Sequence, residues 1–179
     1  MGSLRRRSSV CFLTSLSSIQ GFVRRIAYSV QVGTLSGTMD RIRFHHAVCR
    51  HLRQNGWKII SSCSESQRGD DIVARHRATG REATIEAKGE TSSKTHTNRH
   101  GKAFHSGQAS SHVSRAFYRA AQTAGGKTAG AIALPRTELH LDRVRKIECA
   151  LKKLKLEVFW VDSRRRVTVA GIWPAEIRP

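Results

Sequence analysis

The sequence lacks any paired cysteine motif. Its four cysteines are scattered and none stands in a CxxC spacing: Cys11, Cys49, Cys63 and Cys149. Scattered cysteines without such a spacing argue against a zinc finger and against a disulfide framework. The cysteines therefore predict an intracellular, reducing compartment, such as the cytoplasm or the nucleoid.

Long apolar runs are also missing. No run approaches the ~18 apolar residues of a membrane-spanning helix, and no basic amphipathic surface helix stands out. We therefore expect no membrane partner. There is no internal repeat, and 179 residues suit one ordinary domain with a tail.

Acidic residues are absent from the first 39 positions, which carry five arginines and many serines. This composition fits a mitochondrial transit peptide. It also fits a disordered basic arm on nucleic acid, and Met39 could equally be the true start. We therefore divide the chain into an N-terminal extension, 1–39, and one domain, 40–179.

The whole chain is strongly basic, with 32 Lys and Arg against 13 Asp and Glu and a formal net charge of +19. Such an excess repels itself in a compact protein, so it is most easily explained by a polyanionic partner. DNA is the leading candidate, and RNA is the alternative.

Periodicity and turn residues predict an α/β domain with a mixed sheet flanked by helices. The expected order is helix, three strands, helix, strand, helix and two strands. The expected positions are helix 40–55, strands 57–61, 72–74 and 83–87, helix 108–123, strand 129–134, a helix capped by Thr137, and strands 158–161 and 167–170.

Helical spacing also predicts which side chains face the core. In the first helix these are Phe44, Ala47, Val48 and Leu52, and its histidines His45, His46 and His51 are expected to be partly exposed. In the third helix the expected core residues are Leu141, Val144, Ile147, Leu151 and Leu154.

Two acid-bearing segments flank a turn around Thr79 and Gly80. Strand alternation places Glu86 and Lys88 on one face. A two-residue turn sets Asp71 opposite Lys88, whereas a four-residue loop starting at residue 77 sets it opposite Glu86. Either even-length turn gathers the three side chains on one face of the sheet.

Two neighbouring carboxylates repel each other unless a cation lies between them. Their hard oxygen ligands suit Mg²⁺, and Mn²⁺ would also serve. A lysine on the same face could position a water molecule or offset charge on a phosphate oxygen. Hydrolysis of a phosphodiester needs these parts.

This stretch resembles the PD-(D/E)xK motif of the restriction-endonuclease-like nucleases. Asp71 precedes the apolar pair Ile72 and Val73, and fourteen residues separate it from the run Glu86-Ala87-Lys88. The order of elements over residues 40–134 is similar to the core of that family, namely helix, three strands, helix and strand.

The resemblance implies roles for these residues. Asp71 and Glu86 would hold the metal together with the carbonyl of Ala87, and Lys88 would be the catalytic lysine. Gln108 stands where many members carry a glutamine that helps to order the site. The usual proline is replaced by Asp70, which leaves Asp70 as an alternative metal ligand, and Glu65 is the nearest spare acid.

Two further segments are candidate nucleic-acid contacts. Residues 89–107 are expected to form a long polar loop, and its cations, Lys94, Arg99 and Lys102, would contact phosphates. A zinc site in its histidines is the alternative, although their spacing matches no known ligand set. The following helix carries a polar stripe: Gln108, His112, Arg115, Arg119 and Gln122.

The sequence therefore predicts a Mg²⁺-dependent deoxyribonuclease of restriction-endonuclease-like architecture. The alternative is a non-catalytic DNA- or RNA-binding protein that keeps the fold or only its charge. Cleavage of both strands would favour a homodimer.

Overall fold

The structure is a computed structural model that describes residues 41–63, 71–89 and 105–179. These parts contain three α-helices: α1 (Arg41–Gln54), α2 (Ser106–Thr123) and α3 (Glu138–Lys153). They contain six strands: β1 (Trp57–Ser62), β2 (Ile72–His76), β3 (Glu82–Ala87), β4 (Thr128–Pro135), β5 (Glu157–Val161) and β6 (Val167–Val169). A short 3₁₀ helix, Ala175–Ile177, follows β6. The predicted order of elements is confirmed.

The six strands form one mixed sheet in chain order, from β1 to β6. The first three strands are antiparallel neighbours. Strands β3, β4 and β5 run parallel, and β6 pairs antiparallel with β5. The parallel pairs need crossover connections, which α2 and α3 provide. The predicted α/β fold, a mixed sheet flanked by helices, is therefore confirmed.

The two faces of the sheet are covered by different helices. Along β3 the odd-numbered side chains are fully buried, and the even-numbered ones are half-buried. The odd face packs against the apolar side of α1, which includes Phe44 and Leu52. On the even face the Thr84 hydroxyl donates to the Thr123 hydroxyl of α2 at 2.7 Å. Helix α1 and helix α2 therefore lie on opposite faces.

Gly130 in β4 lets α2 approach the sheet closely. A Cβ atom at this position would lie 2.7 Å from the Ala120 carbonyl oxygen, the Ala124 Cβ and the Leu156 Cδ2. No real Cβ tolerates such distances, so the packing of α2 on β4 requires a glycine here.

Glu157 fixes the C-terminal segment to the start of β5. Its fully buried carboxylate accepts hydrogen bonds from the backbone N–H groups of Val158, Gly171 and Trp173 at 2.9 to 3.0 Å. Three donors on one carboxylate satisfy a charge that would otherwise be costly to bury. Glu157 is therefore a structural residue.

Three predicted environments are wrong. Ile147 on α3 is half-buried rather than part of the core. Leu154 is exposed, because α3 ends at Lys153 and the helical periodicity stops with it. His45 is buried rather than partly exposed, because it faces β1, where its Nδ1 lies 3.2 Å from the Ser62 hydroxyl. Helix α2 also begins at Ser106, two residues before the predicted start.

Across the described ranges, none of the helices combines the length and the apolar content needed to cross a bilayer.

Candidate active site

The turn between β2 and β3 decides which residues face each other. His76 and Arg81 close a four-residue loop, since the His76 N–H donates to the Arg81 carbonyl at 2.8 Å. The strand pairs, such as Ile72 with Ile85, continue the same register. This register sets Asp71, which directly precedes β2, opposite Glu86. It is one of the two even-length turns predicted from the sequence.

Asp71 is held in place by the backbone of β3. Its Oδ2 accepts a hydrogen bond from the Ala87 N–H at 2.8 Å, and the residue is only 6 % exposed. A strand residue directs its N–H and its carbonyl to the same neighbouring strand. The carbonyl of Ala87 therefore points to the side on which Asp71 lies.

Glu86 and Lys88 flank the fully buried Ala87 and so share the other face of β3. The Lys88 ammonium contacts Glu86 Oε1 directly and lies 3.8 Å from Asp71 Oδ2. The Lys88 N–H donates to the Ala133 carbonyl of β4 at 3.0 Å, which fixes the backbone at the end of β3. The structure thus brings the three predicted residues together.

The lysine occupies the position of a cation between two carboxylates. Both carboxylates lie within about 4 Å of the ammonium nitrogen, so their nearest oxygens are less than about 8 Å apart. An ion shared at ligand distances of ~2.0–2.6 Å requires the two oxygens to lie within about 5 Å of each other. Binding of the ion therefore requires the lysine to turn aside and the two carboxylates to draw together. The two carboxylates and the Ala87 carbonyl are suitable oxygen ligands for Mg²⁺ or Mn²⁺. Within the described ranges, no group of three or more His, Cys, Asp or Glu side chains is arranged around a common metal position.

Gln108 lies at the start of α2, where its side chain caps the helix. Its Oε1 accepts a hydrogen bond from the His105 N–H at 3.1 Å. This contact holds the first turn of the helix. The predicted role of Gln108 in ordering the site remains a prediction.

Arg115 and Arg119 are exposed on α2, as a nucleic-acid contact requires. Helix α2 packs on β3 and β4 on the same face of the sheet as Glu86 and Lys88. Both arginines therefore lie on the same side of the sheet as the candidate site, on the part of α2 that faces solvent. Their role in nucleic-acid binding stays a prediction.

His112 is a neighbour of the site whose position the sequence did not reveal. Burial lowers its pKa, and the positive charges of Lys88 and Arg115 lower it further. Its ring centroid lies 6.2 Å from that of His140 in α3. Burial, assisted by His112, lowers the pKa of His140 to about 4. The polar stripe on α2 contained His112, but only the packing of α3 shows that the stripe is half-buried there.

Comparisons with known proteins give one distant structural likeness. The chain is similar to the crystal structure of an XisH family protein from Nostoc punctiforme, with 15 % sequence identity and a TM-score of 0.41. The match covers 70 % of this chain and 96 % of that one. The sequence matches no protein-family model and no curated protein.

Several predicted residues lie outside the described residues. They are the loop cations Lys94, Arg99 and Lys102, the alternative ligand Asp70, the spare acid Glu65 and the N-terminal extension 1–39.

Proposed function

We propose that this protein is a metal-dependent deoxyribonuclease that hydrolyses phosphodiester bonds at Asp71, Glu86 and Lys88. The observation that supports it is the convergence of two largely buried carboxylates on one ammonium group at the end of β3. An exposed strand would leave such a pair solvated. Here the three side chains are 8 %, 13 % and 21 % exposed, in the order Asp71, Glu86 and Lys88.

Each residue has a role that its position permits. Asp71 and Glu86, with the Ala87 carbonyl, would hold Mg²⁺ or Mn²⁺. When bound, the ion would supply Lewis-acid stabilisation of the negative charge that develops on the phosphate and would favour an ionised water as nucleophile. The Ala87 N–H keeps the Asp71 carboxylate oriented toward β3.

Lys88 acts on the substrate. Its ammonium has three donors on a flexible stem, so it can turn from Glu86 toward a phosphate oxygen. There it offsets the charge that grows as water attacks phosphorus. A bond forms between phosphorus and the water oxygen, whose proton passes to the solvent, and the bond to the 3′ oxygen breaks on the opposite side, where that oxygen takes up a proton from the solvent. Arg115 and Arg119 would hold the DNA backbone on the same face, and a homodimer would cut both strands.

The test is a cleavage panel of duplex, flap, junction and single-stranded DNA, and of RNA, with Mg²⁺ and with EDTA. We expect Glu86→Ala and Lys88→Ala to lose about 100-fold or more of the activity, the size of loss found when one preorganised charged group is removed. DNA binding should persist in both variants.

Glu82→Ala is the matched control, because Glu82 lies on the same face of β3 but pairs with Arg75 at the far end of the strand. It should cleave normally. If wild-type protein cleaves no nucleic acid in Mg²⁺ or Mn²⁺ and still binds DNA, the protein is a non-catalytic binder and the proposal is wrong.

A further inference from the structure

The outward face of α1 carries a row of basic side chains. Arg43, His46, Arg50 and Arg53 follow one another at steps of three, four and three residues, which places them on one side of the helix. All four are exposed. The helix contains no acidic residue that would neutralise the row.

The hairpin between β5 and β6 carries three arginines in succession. Residues 164–166 are all arginines, and all are exposed. The Asp162 carboxylate shapes the turn, because its Oδ1 accepts the N–H groups of Arg164 and Arg166 at 2.9 Å. Arg165 has a φ of +61°, a conformation that ordinarily favours glycine. The turn therefore keeps a charged side chain where a small residue would be easier to accommodate.

One contact brings the two basic segments together. The Arg50 guanidinium donates through Nη2 to the Arg165 carbonyl oxygen at 3.3 Å. We name the resulting surface the α1–hairpin surface; it consists of Arg43, His46, Arg50, Arg53, Arg164 and Arg165. The neighbouring Arg166 guanidinium is paired with Asp162.

This surface lies on the opposite side of the sheet from the candidate active site. The apolar side of α1 packs on the face that carries Ala83, Ile85 and Ala87. Glu86 and Lys88 alternate with those residues and project to the face that α2 covers. The α1–hairpin surface is thus the outer layer on the other side.

We propose that the α1–hairpin surface binds the phosphate backbone of a second nucleic-acid segment, separate from the segment at Asp71, Glu86 and Lys88. The inference extends the proposed function, because it takes DNA as the substrate of that site. The experiment below tests it without relying on cleavage.

The dimensions and the charge fit a nucleic-acid backbone. Ten residues of helix separate Arg43 from Arg53, which is roughly 15 Å at 1.5 Å per residue. This length corresponds to about four base-pair steps of a duplex. The row of like charge, with the hairpin arginines beside it, matches a regular line of phosphates.

A membrane surface fits less well. Helices that lie on membranes insert an apolar face between the lipids. The apolar face of α1 packs on the sheet, since Phe44, Val48 and Leu52 are all 0 % exposed. Ile42 is 64 % exposed, but one apolar side chain does not make an inserting face, and the rest of the solvent-facing side of α1 is polar or basic.

The experiment measures the affinity for duplex DNA as a function of salt, in EDTA, with the full chain. Two double variants are compared with wild type: Arg53→Ala with Arg164→Ala, and Arg50→Ala with Arg165→Ala. The first pair leaves the Arg50 contact to the hairpin in place, so it separates binding from any loosening of the hairpin. Each pair should lower the slope of log K against log salt by about 1.8, so the affinity ratio between 50 and 200 mM salt should shrink roughly tenfold.

The matched control replaces two exposed lysines outside the α1–hairpin surface, Lys127→Ala with Lys153→Ala. It removes the same net charge and should change the slope much less. An equal effect of the control would show that bulk charge alone matters and would overturn the inference. Unchanged slopes in both arginine variants would also overturn it.

Two further measurements separate the alternatives. Anionic vesicles and poly-glutamate are tested as alternative binding partners. If the arginine variants lose binding to vesicles or to poly-glutamate but bind DNA as the wild type does, the proposed nucleic-acid partner is refuted. Cleavage of a short duplex in Mg²⁺ should be unchanged in the arginine variants. If wild type proves inactive but the slopes fall as expected, the proposed nuclease activity fails and the second binding surface stands.

Discussion

Replacement of Lys88 by methionine should make the stability of the protein depend on a divalent cation. Methionine keeps an unbranched side chain but removes the ammonium that lies between Asp71 and Glu86. The ammonium nitrogen is 3.8 Å from Asp71 Oδ2. With an effective dielectric constant of about 20, this pair alone has a Coulomb energy of roughly 4 kcal/mol. Desolvation and partial exposure offset much of it, so we expect a net loss of about 2 kcal/mol.

The loss should be visible as a fall in Tm of about 4–8 °C in EDTA, given 2–4 °C per kcal/mol for a domain of this size. Mg²⁺ should then restore it, because the two carboxylates would share the ion. An ion at 100 times its Kd contributes about 2.7 kcal/mol. The assay is thermal unfolding in EDTA and in a Mg²⁺ or Mn²⁺ series. The variant should gain more than the wild type, in which the ammonium competes with the ion.

Two control variants test whether the effect is specific to the candidate site. Lys127→Met removes an exposed lysine far from the site and should unfold like the wild type in every buffer. Adding Glu86→Gln to Lys88→Met should abolish the gain from Mg²⁺. If Lys88→Met is as stable as wild type in EDTA, or if Mg²⁺ and Mn²⁺ add nothing to it, the two carboxylates do not form a cation site.

Three further substitutions test the packing of the domain. Glu157→Gln should lower the free energy of unfolding by about 2 kcal/mol, because the new amide NH₂ cannot accept a hydrogen bond from the buried N–H group that it faces. An unchanged midpoint of chemical denaturation would contradict the structural role of this carboxylate. Gly130→Ala should cost about 1–3 kcal/mol, since its Cβ overlaps atoms of α2 and of Leu156, and a stability equal to wild type would show that α2 can shift freely. His140 has a pKa of about 4 when folded, against about 6.5 when unfolded, so the folded state binds fewer protons and loses stability as the pH falls from 6.5 toward 4. That loss is about 3 kcal/mol at most, and His140→Leu should lose correspondingly less than wild type between pH 7 and pH 4. Equal pH dependence in the two proteins would refute it.

Local patterns were enough to predict most elements of the sheet. Alternation along residues 83–87 placed Glu86 and Lys88 on one face, and the parity of the turn limited the position of Asp71 to two registers. The choice between those registers required the His76–Arg81 pair, because the sequence allows a loop of two or of four residues. The wrong expectation for His45 has a similar cause. Helical spacing places it near the edge of the apolar side of α1, and only the proximity of β1 buries it.

Side chains that approach from distant segments were beyond prediction. Lys88 and His112 are far apart in sequence. The parallel pairing of β3 with β4 and the packing of α2 on both strands bring them near each other. The same is true of Arg50 and Arg165, which are 115 residues apart. Neither pair can be recognised from a periodic pattern in the sequence, because each contact depends on how separate helices and strands pack against each other.

The sequence by itself determined the strand and helix order, the strong positive charge and the acidic and basic residues of the candidate site. These properties depend on composition and on the short repeat periods of helices and strands, which are local. The tertiary structure decided that Lys88 lies between Asp71 and Glu86, that α2 covers that face of the sheet and that the basic side of α1 lies on the other. Those relations depend on register and on which face each helix covers, and both are set by long-range packing rather than by neighbouring residues.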